Sequence, residues 1–210
     1  MNDLVINRTP AAFDAILSET NALGFNMVSE PKVGALLAVL AASKPGGRFL
    51  ELGTGTGHGT AWLLSGMDSQ SRLDTVDTDP NVVAVAQRHL DSDDRVRFHI
   101  ADGAAFIQRA PKSQFDLIYA DAWPGKFSHL EEALALLRLG GVYLIDDLLP
   151  QLNWPDGHAP KVPVLIQEIE RRSEFACVKL AWASGLMVVV RKTADHEPDG
   201  RRLTTSQTSG

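Results

Sequence analysis

One cysteine in 210 residues excludes an internal disulfide and a thiolate metal cluster. That residue, Cys177, lies in an apolar strand-like run and is expected to be a buried thiol. Positive charge is also scarce. Lys and Arg number 20 against 26 Asp and Glu, a formal net charge of -6, which does not make the basic face a nucleic acid requires. The arginine pairs Arg171-Arg172 and Arg201-Arg202 are short enough to be simply solvated. No apolar run approaches membrane-spanning length, and Met1 to Pro10 shows neither a basic start nor an apolar signal core. These absences lead to the expectation of a cytoplasmic protein with no nucleic-acid and no membrane partner.

Glycine is plentiful at one place. Glu51 to Gly59 reads ELGTGTGHG after the apolar pair Phe49-Leu50, so a strand ends in an acid and feeds a turn with Gly53, Gly55 and Gly57 at alternate positions. Such a turn, opening a helix, brings a ligand against backbone N–H groups at the positive helix end. The dinucleotide fingerprint G-x-G-x-x-G does not fit: counting from Gly53 the sixth position is His58, and from Gly55 it is Thr60. The pattern E-x-G-x-G-x-G resembles instead the first motif of class I S-adenosylmethionine-dependent methyltransferases. Glu51, Gly53, Thr54, Gly55, Gly57 and His58 are therefore cofactor-binding candidates. His58 either meets the methionine portion or is solvated at the helix start. About twenty residues on, Leu73–Asp77 ends a second strand in Asp77, followed by Thr78, Asp79 and Pro80. Asp77, with Thr78 beside it, is placed to accept ribose hydroxyls, and Asp79 to cap the next helix.

Strand and helix patterns alternate through the chain. Helices are expected at Ala11–Asn21 and at Lys32–Ser43, the second covering the sheet with Ala35, Leu36, Val39 and Leu40. Strands follow at Arg48–Leu52, Leu73–Asp77, Val96–Ile100, Phe115–Ala120 and Val142–Asp146. Helices between and after them run over His58–Ser65, Asn81–Leu90, Gly103–Arg109, Phe127–Leu137 and Val162–Arg172. Phe175–Trp182 and Leu186–Arg191 read as a closing hairpin. The expected fold is α/β: a Rossmann-like, doubly wound, seven-stranded, mostly parallel sheet with an antiparallel last strand and helices on both faces. Residues 1–192 form one domain in this reading, with the helices of 11–43 as a cover, and 193–210 form a disordered tail.

In such a sheet ligands collect at the carboxyl ends of the strands. Six acids stand there: Glu51, Asp77, Asp102, Asp121, Asp146 and Asp147. Asp102 is placed to meet an adenine amino group, with Gly103 letting the ring lie close. Asp121, Asp146 and Asp147 are hard oxygen ligands of the kind that suit Mg²⁺ or Ca²⁺, which would bind an acceptor hydroxyl and lower its pKa. Asp121 would then also be catalytic. Equally, Asp146 or Asp147 caps the following loop and Asp121 holds a neighbouring backbone N–H. In the loop from Pro150 to His158, Trp154 offers a flat wall and His158 a titratable nitrogen for an acceptor, or both pack the loop down, with His158 a surface histidine.

From Pro31 to Arg191 the ordered motifs ELGTGTG, VDTDP, DLIYADAWPGKF and GGVYLIDD resemble the catechol and caffeoyl-CoA O-methyltransferase group. The resemblance implies S-adenosylmethionine as cofactor, a divalent cation on Asp121, Asp146 and Asp147, and Trp123 beside the adenine. It implies O-methylation of a small hydroxylated molecule and a homodimer. Two departures stand out. Pro124 replaces the group's catalytic lysine, leaving Lys126 as the substitute base, and Asp147 replaces an asparagine. The missing lysine keeps open a cofactor-binding protein without turnover. An aminopropyl transferase on the same fold is a further alternative.

Overall fold

The computed structural model describes residues 8–193; the tail reading of 194–210 lies outside the described residues. Seven strands form one sheet: β1 (Arg48–Leu52), β2 (Arg72–Asp77), β3 (Val96–Ile100), β4 (Phe115–Ala120), β5 (Leu137–Ile145), β6 (Phe175–Leu180) and β7 (Leu186–Arg191). Their order is β3-β2-β1-β4-β5-β7-β6. The pairs among β1 to β5 are parallel, and β7 is antiparallel to both β5 and β6, as the sequence pattern indicates. The strand order reverses between β1 and β4, so two crossovers leave on opposite sides and open a crevice above these strand ends. Phe115, Leu117, Ile118, Tyr119 and Ala120 of β4 are fully buried, which is why that strand is apolar at every position but Asp116.

Seven helices complete the described fold: α1 (Phe13–Leu23), α2 (Pro31–Ala42), α3 (His58–Gly66), α4 (Pro80–Leu90), α5 (Gly103–Arg109), α6 (Leu130–Ala135) and α7 (Lys161–Glu170). None is long and apolar enough to cross a membrane. Helix α1 stops where Gly24 turns left-handed at φ 72° and donates to the Asn21 and Thr20 carbonyls. Of the residues expected to seat helix α2, Ala35, Leu36 and Leu40 pack partly buried against the core, but a neighbouring face is buried more deeply. Val33, Gly34, Leu37 and Ala41 are buried, while Val39 is exposed. The reason is Gly34, which lies directly under the Trp62 indole of α3, where any Cβ would collide with the ring.

Three further expectations change. The helix expected at Phe127–Leu137 shrinks to α6, because Trp123 to Ser128 forms a tight turn in which the N–H groups of Lys126, Phe127 and Ser128 all donate to the Trp123 carbonyl. Gly125 at φ 88° and His129 at φ 54° close that turn before α6 begins. Strand β5 starts earlier than expected, at Leu137, and passes through Gly140-Gly141 with a register shift: Phe115 faces Leu137 while Leu117 faces Val142. Cys177 is exposed, not buried, because β6 is the sheet's edge and its middle residues face solvent.

Candidate functional site

A cavity of about 380 Å³ opens over the carboxyl ends of β1, β2, β4 and β5. The glycine turn forms one end. Gly53 sits at φ 106°, and a Cβ on it would come 2.7 Å from the Asp121 carbonyl oxygen, so only glycine lets β1 and β4 leave the sheet this close together. Asp77 fixes the turn from the β2 side: one carboxylate oxygen accepts from the Gly55 N–H at 2.9 Å and the other from the Asp79 N–H at 3.1 Å. Gly53, Thr54, Gly55, Asp77 and Thr78 all line the cavity. Asp79 caps α4 through Asn81 N–H at 2.8 Å, the role its position indicates.

Glu51 lies behind the turn and not among the residues lining the cavity. One of its carboxylate oxygens accepts from the hydroxyls of Thr60 and Thr75, while the other is buried without a partner beside Gly59. Burial raises its pKa to about 7, against the pull of the two threonine hydroxyls. It braces β1, β2 and α3 beneath the loop. Gly57, at φ 94° against Ala86 of α4, likewise serves helix packing and is absent from the cavity lining. His58 is buried, not solvated: its ring meets Phe13 edge-on, Thr20 lies 3.4 Å from Nε2, and burial lowers its pKa to about 4, so it is neutral at the cavity wall.

Asp102 and Gly103 also fall outside the lining. The exposed Asp102 carboxylate caps α5 by accepting from Ala104 N–H at 2.8 Å, and Gly103 packs against Pro124. Trp123 does line the cavity; it is 38% exposed and meets Phe127 edge-on.

The other end is charged. Asp121, Lys126, Asp146 and Asp147 line it together. The tight turn at Trp123 to Ser128 aims Lys126 inward, and the side chain is buried. Its Nζ donates to the Asp146 carbonyl at 3.2 Å and stands 3.9 Å from Asp121 Oδ1 and 3.9 Å from Asp147 Oδ2. Asp146 is already engaged on both oxygens. Oδ2 accepts from the Tyr119 hydroxyl at 2.6 Å, and Oδ1 from the Ser184 hydroxyl and from Asp147 N–H. Ser29, in the segment joining α1 to α2, donates to Asp121 Oδ2 at 3.3 Å. Burial and the Asp146 charge push the Asp121 carboxyl well above the usual carboxylate range, and burial raises Asp147 despite the nearby Lys126.

A divalent cation held by all three carboxylates does not fit this arrangement. The Lys126 ammonium already stands 3.9 Å from both Asp121 and Asp147, and Asp146 would have to give up hydrogen bonds to reach a metal. Among the described residues no group of three metal-ligating side chains converges. Asp147 occupies the left-handed region at φ 60°, which asparagine and aspartate tolerate best, so the backbone accounts for either residue there.

His158 is buried, and its ring stacks on Trp154 at 4.3 Å and meets Phe127 edge-on. Its Nε2 lies 3.0 Å from the Asp147 carbonyl. A carbonyl only accepts, so Nε2 carries the proton, and burial holds the ring's pKa below its ordinary value. Trp154 and His158 both line the cavity. Ser29 and Ser184 lie in no sequence motif, and Tyr119, inside DLIYADAWPGKF, reads there as an apolar strand residue, so the sequence does not single out any of the three. Nor does it single out Asn153, whose side-chain amide donates to the Asn26 carbonyl at 2.7 Å and ties the two cavity loops together.

The topology and this crevice define a Rossmann-like α/β domain with its ligand space at the strand ends. Residues 50–148 match the family model of a methyltransferase domain. A Mycobacterium ulcerans protein whose name assigns it provisionally to the O-methyltransferases is 34% identical over 120 residues, 55% of this chain and 54% of its own length. The chain thus spans about half the length of the curated relatives it matches. The solved Bacillus cereus O-methyltransferase in complex with S-adenosylhomocysteine superposes with a TM-score of 0.78 at 22% identity, over 90% of this chain and 94% of that one. The Streptomyces achromogenes O-methyltransferase involved in tomaymycin synthesis, solved with S-adenosylmethionine, gives 0.77 at 19% identity, over 91% and 94%.

Proposed function

We propose that this chain is an S-adenosylmethionine-dependent O-methyltransferase acting on a small hydroxylated molecule. The observation that carries this reading is a single cavity whose two ends differ in chemistry. At one end a glycine turn and Asp77 offer backbone and carboxylate partners of the kind a nucleoside takes. At the other, a buried ammonium and carboxylates stand between aromatic walls. Bound there, S-adenosylmethionine would supply the methyl group, its sulfur keeping the electron pair of the broken bond. Trp154 and His158 bound the space for the acceptor, and Lys126 presents its ammonium to the acceptor oxygen. The acceptor's proton passes to Asp147, whose carboxylate stands beside the same ammonium and reaches solvent. The protein's part is alignment together with an oxygen made ready to attack. A binding protein without turnover drew its support from Pro124, and Lys126 inside the cavity removes that support. A cytoplasmic site of action belongs to the same proposal, supported by a cofactor drawn from intracellular metabolism.

Calorimetry with S-adenosylhomocysteine tests the cofactor half. One site per chain is expected, weakened at least ~100-fold by Asp77→Ala, the loss of a bidentate acceptor. No heat with the full chain would end the proposal.

A further inference from the structure

We infer that the Lys126 ammonium is a built-in replacement for a divalent cation, so that the site takes no metal while the lysine is present. The inference rests on the transferase reading only for the identity of the acceptor oxygen. Three oxygens face Nζ: Asp146 O at 3.2 Å, Asp121 Oδ1 at 3.9 Å and Asp147 Oδ2 at 3.9 Å. Two carboxylates and a carbonyl are the hard set that Mg²⁺ or Mn²⁺ prefers. Here they surround a nitrogen fixed to the backbone by a tight turn.

Position and supply of donors both favour this role. The side chain is buried at the junction of β4 and β5, below the acceptor walls, where a charge stripped of its partners is costly. An ammonium carries three N–H donors. Only the Asp146 carbonyl lies within hydrogen-bond range among the described residues, and the two carboxylates stand beyond it. The remaining donors therefore have room for the oxygen of an acceptor in the cavity. A metal would neutralise that oxygen by direct coordination, whereas this ammonium does so by charge and hydrogen bonding. Asp146 fits the same design: its carboxylate is bound by Tyr119 and Ser184, and only its carbonyl turns to the cation.

The test is a Mn²⁺ titration followed by electron paramagnetic resonance, on full chain first stripped with a chelator. Wild type is expected to bind Mn²⁺ no more tightly than about 1 mM, and Lys126→Ala at least ~100-fold more tightly with one ion per chain, because removing the ammonium bares the three oxygens. Lys126→Gln, neutral and of similar length, is the second variant if alanine leaves the chain unfolded. Micromolar Mn²⁺ binding by wild type would overturn the inference, as would a folded Lys126→Ala that gains no affinity. Methyl transfer by wild type should be the same in chelator as in Mg²⁺, and a loss in chelator would also overturn it. Binding of S-adenosylhomocysteine, measured on the same samples, separates the two claims. Its absence would sink the transferase reading and leave the Mn²⁺ result standing.

Discussion

The two ends of the cavity are built by opposite means. The glycine end is made of backbone: positive φ at Gly53, N–H groups pinned by Asp77, and a buried acid, Glu51, held behind the loop. The lysine end is made of side chains gathered from Ser29 to Ser184, each holding another through charge or hydroxyl contacts. A backbone site has one conformation and fails as a unit when it is strained. A site of side chains loses its contacts one at a time, each for a modest cost. That difference ranks the outcomes of substitution.

The largest effect should come from Gly53→Ala. A Cβ at φ 106° would be strained and would press on the Asp121 carbonyl from 2.7 Å, so the turn and the start of the loop after β4 cannot both stay in place. A cost of about 3 kcal/mol is expected, which lowers the melting temperature by about 10 °C in a chain of this size. An unchanged melting curve would show that the turn has an alternative conformation and would erase the contrast between the two ends.

Next comes Glu51→Gln, whose effect depends on pH. The folded pKa of about 7 exceeds the ordinary 4.5, so the folded state holds a proton that the unfolded chain has released. The stability this gives is fully present below pH 4.5 and is lost as the pH rises through 7. Glutamine mimics the protonated acid and keeps an acceptor for Thr60 and Thr75. Relative to wild type the variant should gain about 3 kcal/mol between pH 4.5 and pH 8, read from urea unfolding at several pH values. A difference that stays flat with pH would mean that Glu51 is ionised throughout.

The same contrast separates what the sequence makes legible from what only the fold reveals. The glycine end is nearly contiguous in sequence, so ELGTGTGHG and VDTDP declared both the turn and Asp77, and the alternation of strands and helices gave the sheet with its antiparallel β7. Spacing could not tell a residue that faces the cavity from one that braces it. Glu51 and Gly57 lie behind the turn, and Asp102 is spent on a helix cap. At the lysine end the acids were visible but their arrangement was not. Lys126 points inward because of a turn that its helical neighbours disguised, and Tyr119 and Ser184 meet Asp146 only through tertiary packing. His158 shows the same limit: a lone histidine in a Pro- and Gly-containing loop reads as exposed until Trp154 and Phe127 are seen to enclose it.

Tyr119→Phe should cost less than either backbone-end change, about 1.5 kcal/mol, for one hydrogen bond to a carboxylate. The ring is kept, and Ser184 and Asp147 N–H still hold Asp146. Smallest of all should be Asn153→Ala. It removes the amide that joins the Pro150–His158 loop to the Asn26 carbonyl, an exposed contact contributing no more than about 1 kcal/mol. Global unfolding should barely register it. Hydrogen exchange should register it locally, with faster exchange in residues 24–30 and 150–158 and none at β1 or β2, whose amides are held in the centre of the sheet. Acceleration that reached Gly53 to Gly57 would show the two ends to be mechanically coupled, and the acceptor loops would then close on the cofactor turn as a single unit.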